Sequence, residues 1–105
     1  MAREIVVLIT TPSATDARKI GLALVRERLA ACVNVVPRIE SVFRWQGMIC
    51  REREALMIVK TTARRFVKLQ KRVKQLHRYT VPEIIALPIV TGSTDYLKWV
   101  REMTD

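Results

Sequence analysis

Cys32-Val33-Asn34-Val35-Val36-Pro37-Arg38-Ile39-Glu40-Ser41-Val42-Phe43-Arg44-Trp45-Gln46-Gly47-Met48-Ile49-Cys50-Arg51-Glu52-Arg53-Glu54-Ala55-Leu56-Met57-Ile58-Val59-Lys60 is the stretch that decides the fold. It reads as two strands joined at Gln46-Gly47, where glycine is free to take a positive φ. A two-residue loop pairs Trp45 with Met48. That register sets Arg44 opposite Ile49, Phe43 opposite Cys50 and Glu40 opposite Arg53, the last a favourable cross-strand charge pair. It carries Cys32 to the neighbourhood of Thr61, far from Cys50, so the two thiols should not bond. Pro37 cannot donate to the ladder, and a bend or bulge is expected there. The arms are long for a small domain, and arms of this kind are usually covered by another copy of the protein. Leu56 and Ile58 alternate with Ala55, Met57 and Val59. Both sets are apolar, so both faces of this strand should be covered.

Working outward toward the N-terminus, Ile5 to Thr10 is a short β-branched and aliphatic run that reads as a strand. Thr11-Pro12-Ser13 stops it. Ser13 with Asp16 three residues later resembles a capping box, and a helix is expected from about Ala14 to Ala30 with Ile20 and Leu24 on its apolar side. Toward the C-terminus, Phe66, Leu69, Val73 and Leu76 form the stripe of a second helix, about Ala63 to His77. Tyr79 to Pro82 is a loop. Ile84 to Val90 is a fourth strand, and Pro88 within it argues for an edge or a bulge. Gly92-Ser93 leads into a last helix, about Thr94 to Met103.

The order is βαββαβ plus a terminal helix. This is an α+β chain: a ferredoxin-like four-stranded antiparallel sheet with two helices packed on one face. The other face is also apolar, and left in water it would form a large hydrophobic patch. Burial against neighbouring subunits is the simplest remedy. A cyclic trimer would provide it, although periodicity alone does not count subunits.

With 105 residues the chain has room for one core, so residues 1–105 are read as a single domain. Cys32 and Cys50 lack the spacing of a zinc site or a disulfide framework and read as reduced thiols, as in the cytoplasm. The segment Met1 to Ile9 is too short and too charged for a signal peptide, and no apolar run approaches the ~20 residues of a membrane helix. No membrane partner is expected.

The formal charge is +9. No acidic residue occurs between Glu54 and Glu83, a window that holds Lys60, Arg64, Arg65, Lys68, Lys71, Arg72, Lys74 and Arg78. An anion or nucleic-acid surface is one reading. A solvated helix face is the better one, because no aromatic residues interleave the basic ones as a stacking platform requires. The missing acidic neighbours also cost this helix about 0.2–0.5 kcal/mol per absent charge pair. No phosphate loop, HExxH, GxSxG or calcium loop is present, so no enzyme is expected, an acylphosphatase-like one included. His77 could meet a divalent or copper ion near the helix-end carbonyls, or could interact with the helix dipole alone. Lys60, Glu54 and Glu83 could cradle a small ligand with Tyr79, or form salt bridges between subunits. Trp45 and Trp99 read as packing anchors.

Several stretches together resemble the CutA family along nearly the whole chain. They are Glu27-Arg28-Leu29-Ala30-Ala31-Cys32-Val33-Asn34 with Pro37; Ser41 with Trp45-Gln46-Gly47; Glu54 with Val59-Lys60-Thr61; His77 with Tyr79-Thr80-Val81-Pro82-Glu83-Ile84-Ile85-Ala86-Leu87-Pro88-Ile89; and Tyr96-Leu97 with Trp99. The resemblance implies a PII-like homotrimer in which long hairpins clasp adjacent subunits. It implies a divalent-cation tolerance role with copper binding and no catalysis. His77 is the metal ligand it carries over, and copper or another divalent cation is the expected cofactor. The alternative is a PII-like sensor of a small molecule or anion, with its ligand between subunits near Lys60, Tyr79 and Glu83. Departures from the family pattern are Arg78 where proline is usual in His-Pro-Tyr, and Ile9 and Leu76 where copper-associated members carry Cys and a second His.

Overall fold

The computed structural model describes residues 3–105; Met1 and Ala2, which the signal-peptide reading includes, lie outside the described residues. The elements are β1 (Glu4–Thr11), α1 (Ala14–Arg26), β2 (Cys32–Trp45), β3 (Met48–Thr62), a 3-10 turn (Ala63–Arg65), α2 (Phe66–Leu76), β4 (Ile84–Pro88) and α3 (Thr94–Met103). The sheet order is β2-β3-β1-β4, and every pairing is antiparallel, as in a ferredoxin-like fold.

The hairpin follows its expected register from Trp45↔Met48 through Glu40↔Arg53. Gln46 and Gly47 have φ of 49° and 79°, the two positive values a type I′ turn needs to match strand twist. A bulge between Val36 and Ile39, where Pro37 withholds its amide, spends one extra residue on β2. Cys32 therefore faces Lys60, one step from the expected Thr61, and both cysteines are free thiols.

Ser13 caps α1 by accepting from the Asp16 amide at 3.2 Å. The helix stops at Arg26, short of the expected Ala30, because the chain turns back in a Schellman motif. Leu29 N donates to Leu24 O at 2.9 Å and Arg28 N to Val25 O at 3.1 Å. Arg28 holds the left-handed position, φ 59°, where glycine is the usual choice. The turn drives Leu29 and Ala30 into the core, which rewards the strained residue. Gly21 permits the close approach of α1 to the sheet, since a Cβ there would sit 3.1 Å from a Val33 methyl. β4 is an edge strand that ends at Pro88, two residues before its expected end, with the Ile89 amide still donating to the Glu4 carbonyl at 3.1 Å.

α1 and α2 cover one sheet face. Val7, Ile9, Ala55, Met57 and Val59 there are fully buried with Ile20, Leu24, Leu69 and Val73. Strand alternation puts Val6, Leu8, Val36, Leu56, Ile58, Ile85 and Leu87 on the opposite face. None of these is buried within one chain, and Ile85 and Leu87 are each 48% exposed. α3 shields only one end of that face, where Arg101 pairs with Glu4 at 3.2 Å and Thr104 meets Thr62 at 3.2 Å.

The basic residues near and on α2 find much of their compensation through tertiary contacts. Arg65 donates to the Thr104 carbonyl at 2.7 Å, Arg64 pairs with Asp105 at 3.0 Å, and Arg72 pairs with Glu27 at 3.0 Å.

Candidate functional site

The loop between α2 and β4 begins at His77, whose ring is held at both nitrogens. Nε2 lies 2.7 Å from the Thr10 carbonyl, which can only accept, so Nε2 carries the proton. Nδ1 accepts from the Tyr79 amide at 3.0 Å. This is a neutral imidazole that ties the loop to the end of β1, and its ring packs 4.9 Å from that of Tyr79.

The Tyr79 hydroxyl donates to Glu54 Oε2 at 2.8 Å. Burial, together with the Glu54 carboxylate, pushes the phenol up to about 12. Tyr79 is therefore a fixed proton donor at neutral pH.

Between these two residues, Arg78 reaches back to Asp16 at 2.6 Å. This ion pair restrains the loop where the family pattern would use a proline ring. Arg78's hydrogen bond is the main cause of a lowered Asp16 pKa; partial burial opposes it, and the Ser13 hydroxyl adds to it. A lowered folded-state value contributes stability above the unfolded value of about 3.8, lost as pH falls through the folded value. Acid titration of unfolding free energy, wild type against Asp16→Asn, should show the gap between the two shrinking below about pH 4. A constant gap down to pH 2 would refute the pairing.

The loop faces the distal half of the hairpin across a cleft of about 870 Å³. Ser41, Phe43 and Trp45 of β2 and Cys50, Glu52 and Glu54 of β3 alternate onto the same sheet face and form its floor. Tyr79 and Glu83 form part of the opposite wall. Tyr79 and Glu83 thus line one cleft of the single chain, whereas Lys60 is not with them there. It sits toward the other end of β3, where Nζ bonds Asn34 Oδ1 and lies 4.0 Å from Cys32 Sγ. The Tyr96 hydroxyl joins that second cluster through Cys32, its pKa raised mainly by burial.

Glu52, Trp45 and Phe43 were not singled out as ligand-site residues by sequence reasoning. The signal for them is period two: Glu52 and Glu54 share a strand face with Phe43 and Trp45 across the ladder. Among the described residues no group of three His, Cys, Asp or Glu side chains is placed to hold a metal ion. With both His77 nitrogens committed, the residues of one chain do not fit a copper site.

The family model described as CutA1 divalent ion tolerance protein matches residues 5–103. A Thermus thermophilus protein named divalent-cation tolerance protein CutA is 59% identical over 101 residues, covering 96% of this chain and 98% of the relative. A protein named CutA, chloroplastic, from Arabidopsis thaliana is 45% identical over 96% of this chain, which spans only 56% of that longer relative. A solved structure of the divalent cation tolerance protein from Thermus thermophilus superposes with a TM-score of 0.95 at 59% identity, covering 97% of this chain and 99% of the other.

Proposed function

The chain belongs to the CutA1 divalent ion tolerance family, and from that premise we propose that it is a non-catalytic divalent-cation tolerance protein working as a homotrimer. The observation that carries the functional reading is the similarity, over nearly the whole chain, to a relative named for that tolerance. Assembly is supported by the second sheet face: Val6, Leu8, Leu56 and Ile58 lie in a continuous apolar strip that one chain leaves unburied. Monomeric proteins rarely leave such patches open.

A copper or other divalent ion would then be held by more than one copy. His77 is a structural pin in this reading, since a metal at Nδ1 would have to displace the Tyr79 amide and one at Nε2 the Thr10 carbonyl. Calorimetric titration with copper(II) tests it. The intact protein should bind, and His77→Ala should give the same isotherm. Absence of binding by the intact protein contradicts the cation reading; a lost isotherm in the variant returns the metal to His77. The small-molecule or anion-sensor alternative draws no support from the relatives, and the cleft mixes Glu52, Glu54 and Glu83 with Arg53 and Arg78.

A further inference from the structure

We propose that the outer face of the helix layer, α1 side by side with α2, docks the phosphate backbone of a nucleic-acid double helix without reading its sequence. The +9 charge is not spread over the molecule. Residues 14–28 and 63–78, the two helices with their flanking turns, hold eleven Lys or Arg against Asp16 and Glu27, a balance of +9. Everywhere else the chain carries eight basic and eight acidic residues. The whole excess therefore sits on the layer that packs on the sheet from the side opposite Val6, Leu8, Leu56 and Ile58. A trimer that buries that apolar strip leaves the helix layer in solvent, and the docking itself needs only one chain.

Both acids of the layer are already used. Asp16 pairs with Arg78 at 2.6 Å and Glu27 with Arg72 at 3.0 Å, and these two bridges tie the helices side by side. Arg18, Lys19, Arg26, Lys68, Lys71 and Lys74 are left exposed and outside any ion pair among the described residues. Helical spacing aims them outward. Leu69 and Val73 fix the buried side of α2, which turns Lys71 away from the sheet with Lys68 and Lys74 flanking it. Ala17, Ile20 and Leu24 do the same for Lys19 and Arg26 of α1. Like charges held on two rigid neighbouring helices repel one another, and a polyanion relieves that repulsion.

The rest of the face selects the kind of polyanion. The layer's one phenylalanine, Phe66, packs against the core, and the layer has no Tyr or Trp. A single strand, which needs rings to stack its bases on, finds no platform here. A duplex keeps its bases stacked on one another and presents phosphate. Lysine ammonium groups act as point charges, which suits neutralising phosphates better than recognising base edges. A lipid surface is a poorer match: a membrane-lying helix sinks a broad apolar face, and α1 and α2 have committed theirs to the sheet. An acidic protein would need a buried anchor, and the large apolar side chains exposed on these two helices are the scattered Leu22, Val25 and Val67.

Fluorescence anisotropy of a labelled, mixed-sequence DNA duplex, titrated with the intact protein, reads the docking. Affinity should fall about 100-fold or more between about 50 and 200 mM salt, as expected when about four phosphates are neutralised. The triple variant Lys68→Gln, Lys71→Gln, Lys74→Gln changes exposed helix positions to a residue of similar helix propensity, so its far-UV circular dichroism should match that of the unmodified protein. It should bind the duplex about 10-fold or more weakly at the lower salt, with a salt slope shallower by about two to three. No binding at the lower salt, a triple variant that binds like the unmodified protein, or tighter binding of the matching single strand would overturn the proposal. Displacement of the duplex by phosphatidylserine vesicles at equal phosphate would assign the face to lipid and overturn it as well. The copper titration above reads a different property, so either reading can fail alone.

Discussion

Ile58→Asp is expected to break the protein into single chains. Ile58 lies mid-strand on the unshielded sheet face, paired with Leu8 on one side and Asn34 on the other. It is half-buried in one chain, so a charge there is tolerable in the monomer. In an assembly that covers this face, the carboxylate would enter a low-dielectric contact without a partner, at a cost of several kcal/mol at every copy. Size-exclusion chromatography with light scattering reads the outcome. The variant should run at the single-chain mass of 12.1 kDa while keeping its far-UV circular dichroism. An unchanged mass would mean that the face contacts nothing.

The second large effect is on folding itself. Leu24→Ala should cost about 2–5 kcal/mol, the range for removing a fully buried leucine and leaving a cavity. Leu24 is 0% exposed, and its carbonyl anchors the turn that ends α1 by accepting from both Leu29 and Ala30. The backbone bonds survive the substitution, so the loss reports packing alone. In the proposed trimer unfolding is coupled to dissociation, so the denaturant midpoints are compared at one protein concentration. A loss below about 1 kcal/mol would show that the α1–sheet core is not packed as described.

Which parts of this were legible in the sequence follows from how local each determinant is. The hairpin register is local: Gln46-Gly47 fixes the turn, and alternation propagates outward with period two. It fails by one residue at Cys32, where the Pro37 bulge inserts a step whose position is readable but whose residue count is not. The end of α1 was not legible, because the left-handed position falls on Arg28 and no glycine marks it. Apolar residues at 29–31 prolong the helical pattern past the turn, although they reach the core through the Schellman reversal.

At the cleft, His77 stood out as the one histidine, at a helix end, and Glu83 as a charge at a strand end that could act with Tyr79. The role of His77 was not legible, since only geometry shows both ring nitrogens bonded to backbone. Lys60 could be grouped with Tyr79 and Glu83 only across two copies. Its distance from Glu54 along β3 is roughly 20 Å of extended strand. Trp45 read as a packing anchor, as aromatic side chains usually are, and Phe43 only as a strand residue. Their half-exposure beside Glu52 is a property of the folded hairpin.

The +9 charge is a net figure that already counts the carboxylates, and the excess remains, although several arginines find partners in the fold. Arg64, Arg65, Arg72, Arg78 and Arg101 each meet a carboxylate or a C-terminal carbonyl distant in sequence. On α2 itself, among the described residues, only Arg72 gains such a partner, Glu27, in place of the missing i,i+4 acid.

Sedimentation equilibrium of the unmodified protein at micromolar concentration puts the central claim to the test. The proposed trimer, with the bare sheet face covered by like chains, predicts a species of three times 12.1 kDa that persists on dilution. A folded particle of one chain's mass would contradict it.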